Sequence, residues 1–86
     1  MFLFIEGLID AGVHMGLARP IAEQLALQTV RGAALYAQRS GLHPAVLRNM
    51  VTSPGGTTAE GLLALERGAL RATLTEAILA SYRRAR

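Results

Sequence analysis

The residues best suited to chemistry lie in one short segment, Ser53-Pro54-Gly55-Gly56-Thr57-Thr58. Gly55 and Gly56 remove side chains where the backbone must turn tightly, and Pro54 stiffens the approach. A helix starting just after them presents the free N–H groups of its first turn beside the hydroxyls of Thr57 and Thr58. Such a cluster of amides at the positive end of a helix suits a carboxylate or a phosphate. Hydrogen bonds of that charge-assisted kind contribute roughly 1.5 to 3 kcal/mol each before desolvation is counted. An ordinary capped turn between two helices is the other reading, and on composition alone the commoner one.

Other candidates are weaker. Asp10 and His14 stand one helical turn apart, with Glu6 a turn earlier, and could fill corners of a metal site. No further His or Cys completes the set, and an Asp-His pair at that spacing more often marks a solvated face. His43 before Pro44 resembles a helix-start residue. Gln28 and Thr29 sit among apolar neighbours, where a hydrogen-bonding role inside an interface fits better than catalysis. No Ser-His-acid set is legible, and neither G-x-G-x-x-G nor G-x-x-x-x-G-K occurs.

These residues need elements to hold them, and the composition says which. The 86 residues are 51% hydrophobic and 17% charged, which excludes a disordered chain. There is no cysteine, so a disulfide scaffold and a thiolate metal site are excluded. The longest strongly apolar run, Met1 to Ile5, is far short of the roughly 20 residues that span a bilayer. Glu6 and Asp10 follow at once, so it is no secretory signal either. The default is a soluble cytoplasmic protein with no membrane partner. Nine arginines against six acids give a net charge of +3. Only Arg83, Arg84 and Arg86 cluster, at a helix end whose dipole they complement, so no nucleic-acid partner is expected.

Ala and Leu are abundant, β-branched residues are sparse, and nothing alternates for long, so the chain reads as all-α. The first helix is expected over Phe2–His14, with Gly16 at its end. A second runs from Arg19-Pro20 to about Arg39, stopped by Gly41. A short third spans His43-Pro44 to Met50. The fourth starts on a capping box, Thr57 as N-cap and Glu60 reaching back, and breaks at Arg67-Gly68. The last runs from Ala69 to about Tyr82.

The first helix carries a thin polar stripe at 6, 10 and 14 and is apolar almost everywhere else, so it should be buried on most sides. A chain this short cannot supply that cover alone. A second copy is the simplest source, which predicts an obligate, interwoven homodimer.

The stretch Val51-Thr52-Ser53-Pro54-Gly55-Gly56-Thr57-Thr58-Ala59-Glu60-Gly61-Leu62-Leu63-Ala64-Leu65-Glu66 resembles the signature of pyrroline-5-carboxylate reductase. So do Phe2 to Val13, Met15-Gly16-Leu17, the run Ala26 to Ala34, and His43-Pro44 with Leu47-Arg48. The resemblance covers essentially the whole chain in order. It implies proline biosynthesis by NAD(P)H-dependent reduction of 1-pyrroline-5-carboxylate, a cyclic imine. It also implies an all-α dimerisation domain of the 6-phosphogluconate dehydrogenase C-terminal-like type, forming an intertwined homodimer that in some members assembles further. In the family, backbone amides matching Ser53, Gly55, Gly56 and Thr57 hold the substrate carboxylate. A hydroxyl matching Thr58 lies beside the ring nitrogen and is the catalytic candidate. Gln28, Thr29 and Gly32 then become interface positions.

One departure from the family pattern stands out. The family's N-terminal Rossmann domain, which binds the dinucleotide, has no counterpart in this sequence, nor has the Gly-Pro-Ala lead-in to the first helix. The expectation is a single helical dimerisation domain over residues 1–86 that binds no dinucleotide alone and has no reductase activity alone. A stand-alone helical oligomerisation module remains the alternative, with a small basic nucleic-acid binder a remoter one.

Overall fold

The structure, a computed structural model, describes residues 1–85. Arg86, grouped above with Arg83 and Arg84, lies outside the described residues. Five helices follow in order: α1 (Phe2–His14), α2 (Arg19–Ser40), α3 (Pro44–Met50), α4 (Thr57–Arg67) and α5 (Leu70–Ala85). Among the described residues there is no strand. The all-α expectation holds, and the helix bounds match it closely; α5 alone runs three residues further. The chain divides into two compact units, Met1–Pro44 and Ala45–Arg86.

The first unit is a helical hairpin. Gly16, at φ +106°, carries the reversal that ends α1, since this backbone conformation penalises any side chain. The turn is closed by the Met15 N–H on the Ala11 carbonyl (3.0 Å) and the Leu17 N–H on the Gly12 carbonyl (3.1 Å). Pro20 in the first turn of α2 gives up an N–H that would have lacked a helical partner. Gly41, left-handed at φ 67°, ends α2 as expected.

The two helices cross at their smallest residues. Gly12 is buried, and Ala22 and Ala26 are only 3% and 6% exposed. A Cβ built on Gly12 would stand 3.0 Å from the Ala22 Cβ, so glycine is what permits this approach. An ion pair between Arg19 and Asp10 (3.6 Å) spans the hairpin, but both side chains are mostly solvated and it contributes little.

The hairpin covers only one side of α1. Phe2 remains 85% exposed and Leu3 80%, so α1 is not buried on most sides by its own chain. One neighbouring helix can screen only one stripe of a cylinder that is apolar nearly all round.

In the second unit α4 and α5 pack as neighbours across a tight turn. Its geometry departs from the simple expectation of a glycine stop. Gly68 stays near helical values (φ −79°, ψ 3°), and Ala69 takes the left-handed conformation at φ 56°. The Ala69 N–H bonds to the Glu66 carbonyl at 3.0 Å, and Arg71 Nε donates to Glu66 Oε1 at 2.9 Å across the turn.

Candidate functional site

The segment between α3 and α4 folds into a defined turn. Ser53 to Gly56 close it, with the Gly56 N–H donating to the Ser53 carbonyl at 3.0 Å. Pro54 occupies the second position and Gly55, at φ +71°, the third, which is the arrangement of a type II turn. Gly56 is a glycine for a different reason. A Cβ there would lie 3.2 Å from the Ser53 carbonyl oxygen and 3.3 Å from the Ser53 Cβ.

The turn delivers Gly56 to the head of α4 in an extended conformation (φ −83°, ψ 177°), and Gly56, not Thr57, is the N-cap. Its carbonyl accepts the Glu60 N–H at 3.2 Å. The expected capping box is therefore absent, and no side chain caps the helix. A cap residue must be extended, whereas Thr57 is already helical; that places Glu60 one position too far along to reach back.

With no side chain occupying the helix head, the N–H groups of Thr57, Thr58 and Ala59 project from it without intrahelical partners. Thr57 and Thr58 are solvent-exposed, so their hydroxyls stand at the same end of α4 as these amides. Ser53 and Gly55 are exposed, and Gly56 is half-buried. The five residues expected to form the site thus lie together. The sequence reading gave Thr52 no role, yet it anchors this loop. Half-buried, it donates its hydroxyl to the Arg48 carbonyl at 2.6 Å, and its N–H bonds to the Asn49 carbonyl at 3.2 Å. The signal was present in the spacing, since a threonine can bond back to the carbonyl four residues earlier.

The weaker candidates do not converge on a site. Among the described residues no group of three His, Asp or Glu side chains could hold a metal, and Asp10 already faces Arg19. Thr29 spends its hydroxyl on its own helix, donating to the Leu25 carbonyl at 2.7 Å. No described helix is long and apolar enough to cross a membrane.

A family model described as pyrroline-5-carboxylate reductase dimerisation matches residues 1–86. The chain belongs to the pyrroline-5-carboxylate reductase dimerisation family. A pyrroline-5-carboxylate reductase of Arabidopsis thaliana is 52% identical over 86 residues, covering 100% of this chain and 31% of the plant protein. One from Synechocystis is 50% identical over 82 residues, covering 95% of this chain and 31% of its own length. Among solved structures, the Plasmodium falciparum pyrroline carboxylate reductase with NADP bound superposes with a TM-score of 0.89 at 42% identity. That match covers 92% of this chain and 32% of the parasite enzyme. The Streptococcus pyogenes 1-pyrroline-5-carboxylate reductase matches with a TM-score of 0.87 at 42% identity, over 90% of this chain and 30% of that one. The chain therefore spans about a third of the length of the reductases it matches.

Proposed function

We propose that this chain is the dimerisation and substrate-loop part of a pyrroline-5-carboxylate reductase, acting in the NAD(P)H-dependent reduction of 1-pyrroline-5-carboxylate to proline. The observation that carries this is the loop geometry inside a chain matched from end to end by one family model. A type II turn and an uncapped helix head leave amide N–H groups free for an anion, and the substrate is a carboxylate. In this reading the backbone N–H groups of Ser53, Gly55 and Thr57 orient that carboxylate, while Gly56, its own N–H held by the Ser53 carbonyl, shapes the loop around it. The Thr58 hydroxyl, at the same end of α4, hydrogen-bonds the imine nitrogen, which makes it the catalytic residue of this chain. Thr52 positions the loop by tying it to α3.

The dinucleotide is a separate matter. Its usual cradle is a glycine-rich turn between a strand and a helix, and the described residues form helices without a strand. They do not fit that group, so no residue here is assigned to it and no step is routed through it. The 86 residues alone give no reductase turnover in this reading.

The two units work as one dimerisation domain over residues 1–86, completed by a second copy of the chain in an intertwined homodimer. Support comes from the apolar side chains left in water: Phe2 and Leu3 in the first unit, Ile78 at 71% exposure in the second. Covering such surface contributes about 25 cal/mol per Å². Two measurements test the proposal. Sedimentation at micromolar concentration should give a dimer; a folded monomer refutes that part. NMR titration with proline should shift amides between Ser53 and Thr58 at millimolar ligand, and an unmoved loop refutes the site.

A further inference from the structure

One turn behind its head, α4 carries a residue that suits a helix poorly. Gly61 lies inside the helix, where glycine is the least favourable residue after proline. Its backbone is helical, with no left-handed φ to require a glycine. A Cβ built on it would meet nothing within 4 Å, and the residue is exposed. Nothing inside the chain therefore explains the missing side chain. Gly12 differs, since its glycine is explained by Ala22.

The position of Gly61 offers a reason. It stands three residues after Thr58 and four after Thr57, on the same face of α4. Helical side chains lean toward the N-terminus, so each covers the surface one turn before its own Cα. A side chain at 61 would lie over the two threonines at the head of α4. Leu62, also one turn from Thr58, is half-buried, so the open side of this face is the one that Gly61 leaves bare.

The substrate chemistry calls for bare surface there. In 1-pyrroline-5-carboxylate one carbon atom bears both the carboxylate and the imine nitrogen. Fixing the first at the loop amides and the second at the Thr58 hydroxyl leaves the imine carbon and two methylene groups to extend along the helix. We propose that Gly61 is a specificity-determining residue: its bare backbone is the surface against which the ring of a cyclic imino acid lies. The proposal rests on the substrate reading given above and adds to it the part of α4 that receives the ring.

NMR titration of the 86-residue chain with proline, which has the same ring, gives the test. Gly61→Leu and Gly61→Gln meet no clash within the chain and are better helix formers, so both should raise the thermal unfolding midpoint by a few degrees. Both should also weaken proline binding, read from the amide shifts between Ser53 and Thr58, by roughly 10- to 100-fold, because the new side chain occupies the space of the ring. Gly61→Ala adds one methyl in open space and should raise the midpoint while holding the affinity within about threefold. Stability gained while binding is lost separates a ligand-facing role from a structural one. If Gly61→Leu and Gly61→Gln bind proline as the wild type does, the proposal is overturned and the site reading stands. If instead their midpoints fall, Gly61 serves a helix contact, and the proposal is again overturned. A wild type whose loop amides do not move overturns both.

Discussion

The crossing of α1 over α2 makes Gly12→Ala the most informative small change in the chain. The added methyl would sit 3.0 Å from the Ala22 Cβ, 3.7 Å from the Ala22 Cα and 3.5 Å from the Leu17 Cδ1. Carbon atoms prefer about 3.5 to 4.0 Å, so the Ala22 contact is too short by half an ångström or more. Leu17 can turn aside, but the Ala22 Cβ is fixed to the α2 backbone, and relief requires the helices to part. Overpacking of that kind costs about 1 to 3 kcal/mol. Against it stands about 1 kcal/mol of helix propensity gained on replacing glycine by alanine. The net expectation is a loss of about 0 to 2 kcal/mol. Gly7→Ala is the reference, because Gly7 is in the same helix with nothing within 4 Å of its Cβ and should give the propensity gain alone.

The assay is thermal unfolding followed by helix circular dichroism at one fixed chain concentration, since association makes the midpoint depend on it. Each kcal/mol moves the midpoint of a domain this size by about 4 to 8 °C. The clash is isolated by a double-mutant cycle in which Ala22→Gly, harmful alone, partly rescues Gly12→Ala. If Gly12→Ala stabilises as much as Gly7→Ala, or Ala22→Gly gives no rescue, the close crossing is wrong.

Other expectations follow from single backbone or side-chain features. Ala69→Gly should raise the unfolding midpoint by an amount equivalent to about 0.5 to 1 kcal/mol, because it relieves a left-handed alanine; an unchanged midpoint argues against φ 56° there. Gly55→Ala should cost about 1 to 2 kcal/mol at φ +71° and abolish the proline-induced amide shifts of the loop, with both read in one NMR sample series. Glu66→Gln should change stability by less than about 0.5 kcal/mol, because its partner Arg71 is 70% exposed and the pair is screened. A larger, salt-insensitive loss in urea titration would contradict that.

The sequence made some features plain and hid others for physical reasons. Gly16, Pro20 and Gly41 punctuate the helices unambiguously, because their backbone requirements are local. Pro54-Gly55 likewise announces a tight turn. The helix cap is ambiguous in the sequence because Thr57 and Gly56 are both acceptable N-caps, and the choice rests on where the turn delivers the chain. At the α4–α5 junction, glycine is followed by alanine, and hydrogen bonding to Ala64 and Glu66 decides which of them turns left-handed. The Gly12–Ala22 contact was not legible at all. A glycine in a helix signals close approach but does not name the neighbour, which depends on how the hairpin folds back. Phe2 and Leu3 stay exposed on the chain's own helices, as the shortage of covering material in the composition anticipates.

Every described residue from Arg71 to Ala85 lies exposed on α5. A helix of about that length is marginal in water when little packs against it. In the homodimer proposed above, meeting a second copy is then part of folding itself. Until that encounter, Leu74 and Ile78 offer chaperones and proteases the same greasy stripe, and the waiting time shortens as more copies are made.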